Sequence, residues 1–164
     1  MYMKSSGFTV VELLVSIAIM AIVLGIGVPS FNELIRNSAI RSNSNDIVVA
    51  LNYARMEAVK RGDNIILSQR IVTAPTSWSG GVVVWVDTDG DDTLDAGEEL
   101  RLWDAFSNGS QINSTNTSIV FSALGEASPG DVFTLCDDRT GETGRTITIL
   151  VSGAVYVEEK NDCT

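Results

Sequence analysis

Histidine is absent from this 164-residue chain, and cysteine occurs only twice. Without imidazole there is no Ser-His-Asp or Cys-His nucleophile and no His-ligated zinc. Two thiols cannot complete a four-cysteine metal site. Basic residues are scarce as well. The 11 Lys+Arg face 21 Asp+Glu, a net charge of −10, which makes phosphate backbones poor ligands. No internal repeat is evident. Hydrophobic residues, at 45%, suffice for one buried core, and the length fits one ordinary domain.

The apolar residues are concentrated at one end. Residues 8–28 read FTVVELLVSIAIMAIVLGIGV, with Glu12 the one charge. As a helix this stretch is about 30 Å long, the thickness of a bilayer's hydrocarbon core. A core helix of a small domain would show a polar face, and this run has none. A cleaved signal peptide would want small residues after the run, which GIGVPS supplies poorly. Glu12 is costly in hydrocarbon and wants a partner, yet no basic residue lies within a helical turn or two of it. A cut just before Phe8 would create an α-amino group about 6 Å of helix rise away. A neighbouring subunit's amine would then be able to pair with Glu12.

The run Lys4-Ser5-Ser6-Gly7, followed by Phe8-Thr9-Val10-Val11-Glu12-Leu13, resembles the leader and cleavage motif of type IV prepilins and type II secretion pseudopilins. The resemblance implies that a membrane peptidase cuts after Gly7 and that Phe8 becomes the N-methylated terminus. It makes Glu12 the assembly carboxylate. Pro29 also sits where pilins often carry a proline.

Pro29 lacks a helix donor, and Gly25 and Gly27 weaken the turns before it, so a kink or local unwinding is expected. Helical spacing then resumes: Ile40, Ile47, Leu51, Ala54 and Ala58 make one stripe, with Arg41, Asn45, Asn52 and Glu57 largely elsewhere. Gly62 is the expected stop, after Lys60 and Arg61. Beyond it, β-branched runs alternate with turn residues. The expected strands are 65–69, 82–87, 100–104, 118–122, 132–136, 146–151 and 154–158, the last two joined at Ser152-Gly153. Residues 69–81 and 107–117 read as loops. The fold class is therefore α+β: a long N-terminal helix, half membrane-spanning and half amphipathic, packed on an antiparallel sheet head. The divisions are a leader (1–7), a transmembrane and assembly helix (8–29), an amphipathic helix (30–62) and a β-rich head (63–164). LNYARMEAVKRG, GVVVWVDTDGDDTLDAGEELR and FTLCDDRTGETGRTITI, in that order, resemble minor pilins and pseudopilins of the GspH/FimT group.

Four features of the head bear on function. Asp87, Asp89, Asp91, Asp95 and Glu98 match oxygen-donor positions of an EF-hand calcium loop, with Glu99 adjacent. Position 6, normally Gly, is Asp92, and the flanks read as strands. A solvated turn with no metal is the expectation, and calcium the alternative. Cys136 and Cys163 are able to pair outside the cytosol, closing a loop of about 28 residues worth about 3–4 kcal/mol. Some members of the group bind DNA through Gly-Arg-x-Arg. The matching stretch is Gly153-Ala154-Val155-Tyr156, and Arg139 and Arg145 lie among carboxylates, so nucleic acid is not expected. Trp85 and Trp103 read as sheet residues, and Trp78 as the most exposed tryptophan.

The resulting expectation is a structural subunit and not an enzyme. It is a type IV pilus minor pilin acting at or near the tip, with a type II secretion pseudopilin as the alternative. DNA capture and calcium-dependent adhesion are weaker rivals. The implied partners are other major and minor pilins, met through the N-terminal helix, and prepilin peptidase. The implied location is the bacterial inner membrane, as a single pass with a periplasmic head, and then the filament.

Overall fold

The computed structural model describes residues 8–72, 74–106, 109–139, 141 and 143–163. Packing divides the chain into two compact units, residues 1–37 and 38–164. One helix, α1 (Val10–Arg61), runs through both.

In the first unit every described residue from 8 to 35 is exposed, so this apolar segment buries nothing within its own chain. Among the described residues α1 alone is long and apolar enough to cross a membrane. Pro29 lies inside the helix, and helical structure continues through it without the unwinding expected. The carbonyl that Pro29 leaves without its usual donor is that of Gly25, the residue facing the proline ring. Space around Gly25 is open.

In the second unit α1 becomes two-faced. Ile40, Ile47, Leu51, Ala54 and Ala58 are buried, as their spacing requires. Glu57 departs from expectation: it is buried too, with its carboxylate held by Lys60 and Arg61 at 3.2 and 2.8 Å. Gly62 ends the helix at φ +70°, and its N–H and that of Asp63 both donate to the Ala58 carbonyl. That left-handed cap is what glycine supplies without strain.

Among the described residues nine strands follow: β1 (Ile65–Gln69), β2 (Val82–Trp85), β3 (Glu99–Trp103), β4 (Gln111–Asn113), β5 (Ser118–Phe121), β6 (Ala127–Ser128), β7 (Asp131–Cys136), β8 (Gly144–Ile149) and β9 (Val155–Lys160). They form two antiparallel sheets, ordered β3-β2-β1-β5-β6 and β4-β7-β8-β9. Alternation sets the inner faces. Ile65 and Leu67 of β1 lie opposite Phe121 and Ile119 of β5, and Phe133 lies opposite Ile147. These side chains share one core with Ile47, Leu51 and Ala54 of α1.

The head departs from expectation at three further places. Residues 107–117 contain a strand, β4, although three residues are too few to leave a periodic signal. The β8–β9 turn spans Leu150–Gly153, wider than Ser152-Gly153 alone, with Gly153 N–H donating to Leu150 O at 2.8 Å. Trp78 is not exposed but fully buried. Its main-chain N–H donates to Ile112 O of β4 at 2.7 Å, which draws the loop inward. Its indole donates to Asn116 O at 2.9 Å and meets Phe133 edge-on, with ring centroids 4.9 Å apart. With its one polar atom satisfied, the ring is free to fill the core.

Candidate functional site

The candidate assembly site begins at the N-terminus. Gly7 lies outside the described residues. Phe8 is exposed, next to the helix start. Thr9 and Glu12 form a capping box. Glu12 N–H donates to Thr9 Oγ1 at 3.2 Å, while Thr9 N–H and Oγ1–H donate to Glu12 Oε2 at 2.9 and 3.0 Å. This is the reciprocal arrangement that satisfies orphan donors at a helix start. The T-x-x-E spacing announces it in the sequence, a signal the charge argument passed over. Both bonds converge on Oε2, and among the described residues nothing in the chain bonds Oε1. The carboxylate is therefore oriented by its own chain and has one oxygen open to a cation from outside.

In the head, Cys136 and Cys163 form a disulfide with Cα atoms 5.6 Å apart. Gly144 passes so close that a Cβ there would meet Leu135 O and both sulfurs. The bridge therefore needs glycine at the start of β8.

The acidic stretch is the loop of the β2–β3 hairpin. Carboxylate oxygens of Asp87, Asp89 and Asp91 lie within 4.8 Å of one another. Asp87 accepts from Gly90 N–H at 2.7 Å and Asp92 N–H at 3.1 Å, and Glu98 accepts from Thr88 and Asp95 N–H at 2.6 and 3.1 Å. Asp92, where an EF-hand has glycine, takes φ +60°. Aspartate tolerates this conformation better than most residues, so the objection from sequence loses force. Local desolvation, then the charges of Asp91, Glu98 and Asp95, raise the Asp89 pKa above its ordinary value. Hydrogen bonds from Thr93 lower that of Asp91. Three hard oxygens so grouped have the chemistry a divalent cation takes. Asp95 and Glu98 are not part of that group of three.

Gly153 sits at φ +75° beside Gly125 O and Arg55, and Arg55 donates to Ser152 O at 3.2 Å. Arg139 pairs with Asp137 at 2.7 Å and Arg145 with Glu159 at 3.7 Å. Trp85 is buried, and its indole donates to Ser68 Oγ at 3.0 Å. Trp103 meets Tyr53 edge-on, with Arg101 4.7 Å above its ring.

A prokaryotic N-terminal methylation motif matches residues 2–28, the segment that holds Gly7, Phe8 and Glu12. The sequence model described as type II transport protein GspH matches residues 43–154. The chain belongs to the GspH family. No curated protein matches it. Two crystal structures of the type IV minor pilin FimU from Pseudomonas aeruginosa resemble it in fold. One has a TM-score of 0.65 at 21% identity, covering 78% of this chain and 97% of FimU. The second has 0.61 at 22%, covering 76% and 99%. The GspH family comprises structural, pilin-like subunits, and its methylation motif implies processing by prepilin peptidase and assembly with other pilins. A membrane-anchoring apolar helix, an antiparallel head and a disulfide are all present here.

Proposed function

We propose that this GspH-family chain is a minor pilin of a type IV pilus. Its leader is removed after Gly7 and Phe8 is methylated. The apolar helix holds the subunit in the inner membrane with the head in the periplasm. On assembly Glu12 meets the α-amino group of a neighbour, and the exposed apolar faces of the helices are buried against one another. The subunit acts at or near the filament tip. One observation carries the reading: a carboxylate preset by its own capping box, with Oε1 unbonded among the described residues, at the start of an apolar helical segment exposed from residue 8 to 35. The head presents loops and uses no cofactor.

Mass spectrometry of the membrane-extracted chain tests the pathway. A chain starting at methylated Phe8 is expected. An intact leader, or a cut near Ser30, refutes it.

Two other readings each have one observation in their favour. The family description favours a type II secretion pseudopilin. Deleting the gene then stops protein export and leaves sheared surface filaments intact, the opposite of the pilus expectation. The grouping of Asp87, Asp89 and Asp91 favours a calcium-dependent adhesive head. Calorimetric heat at millimolar calcium, lost in Asp89→Asn, would establish it; no heat would leave a solvated turn.

A further inference from the structure

The five-stranded sheet turns one face to the core, and its other face carries a cleft of about 490 Å³. Ile66 lies opposite both Trp85 and Val120, so these three form a cross-strand apolar floor on the outward face. The Trp85 indole N–H is already bonded to Ser68 Oγ, which leaves the floor no unmet donor there. The walls are Val72 on one loop and Leu94 and Asp92 on the acidic hairpin. Val72 and Leu94 are 69% and 38% exposed. Together with the floor they make a contiguous apolar lining open to solvent, the kind of surface that docks a ligand.

Charge selects the occupant. Between Trp85 and Leu100 the chain holds seven carboxylates and no Lys or Arg; Asp92 is the one that lines the cleft, and the others belong to the same hairpin. Arg70, beside the cleft, is paired with Asp104. A second copy of this chain carries the same net charge of −10 and is repelled. Anionic lipid and nucleic acid are repelled for the same reason. An apolar floor beside a negative wall suits a protein segment that alternates an aliphatic or aromatic side chain with Lys or Arg. Thr117 and Ser118 line the same cleft and offer hydroxyls to its main chain. We propose that this cleft docks a basic, apolar-anchored segment of a partner protein, at a surface separate from the assembly helix.

The probe is a fluorescein-labelled, end-blocked Lys-Leu-Lys-Phe-Lys peptide, titrated by anisotropy against the full chain in neutral detergent micelles. Empty micelles serve as the blank. Saturable binding is expected, weakening as salt approaches about 1 M, where the screening length is about 3 Å. The twin with Glu for Lys, and the twin with Ser for Leu and Phe, are expected not to bind. Leu94→Ser with Val72→Ser lowers affinity about tenfold. Asp92→Asn, which keeps a residue able to hold the left-handed conformation, lowers it about threefold. All three positions lie on exposed loops, and unchanged circular dichroism confirms that the variants fold. The proposal is overturned by absence of saturable binding, by equal binding of the Glu twin, or by indifference to these variants. Self-association or binding to anionic vesicles that Leu94→Ser abolishes would assign the cleft to another occupant and equally overturn it.

Discussion

Replacing Glu12 by Gln separates the two tasks that one carboxylate performs. The glutamine amide oxygen still accepts from Thr9 N–H and Oγ1–H, the bonds now 2.9 and 3.0 Å long. Capping boxes accept Gln at this position, so helix start and membrane insertion are expected to remain as they are. What disappears is the charge that attracts a neighbour's amine. Removing one partner of a buried, hydrogen-bonded ion pair costs about 2–5 kcal/mol. At about 1.4 kcal/mol per factor of ten, incorporation is expected to fall by about 30-fold or more. The reciprocal variant, Thr9→Val, removes the cap and keeps the charge. Its cost is that of a lost cap, about 0.5–2 kcal/mol, borne by the helix and only partly by assembly. The assay is quantitative immunoblotting of sheared filaments against membranes, for both variants and the parent. If Glu12→Gln assembles as well as the parent while Thr9→Val does not, capping is the real task and the pairing argument fails.

Three further outcomes test the head. Replacing Cys136 and Cys163 together by Ser opens a loop set by a sequence separation of 27 and should cost about 3.5 kcal/mol in urea unfolding; a loss under about 1 kcal/mol would refute the chain-entropy estimate. Trp78→Ala is expected to cost about 3–5 kcal/mol, and Trp78→Phe about 1 kcal/mol, by losing the indole hydrogen bond to the Asn116 carbonyl, which keeps the Ser114 hydroxyl as donor at 3.3 Å; a neutral Trp78→Ala would show that the loop is not anchored by this ring. Glu57 has its pKa lowered from the ordinary 4.5, first by the hydrogen bond from Arg61 and then, against partial desolvation, by Lys60. A depressed carboxylate contributes stability above its unfolded pKa and loses it as pH falls through the folded one. The stability gap between parent and Glu57→Gln should therefore hold at about 0.5–1 kcal/mol near neutrality and close below pH 4.5; a gap that widens in acid refutes the assignment.

Long-period features were legible in the sequence. The stripe Ile40, Ile47, Leu51, Ala54, Ala58 is buried, and β1 occupies the expected residues 65–69. The Cys136–Cys163 pairing followed from compartment and number. What escaped detection depends on contacts between segments distant in the chain. β4 and β6 are three and two residues long, too short for alternation to register. Trp78 sits among loop residues, and only its partners Ile112, Asn116 and Phe133, all more than thirty residues away, draw it inside. Asp92 shows the converse limit: a left-handed residue without the glycine that usually announces one. The Thr9–Glu12 cap is readable from its T-x-x-E spacing alone.

The bond between Cys136 and Cys163 has a mechanical consequence. β9 runs along one border of its sheet and ends at Lys160, with the linked cysteine three residues farther on. At its other end it is continuous with β8 through the Leu150–Gly153 turn. Held at both ends, this border strand has no loose tip from which unzipping can start.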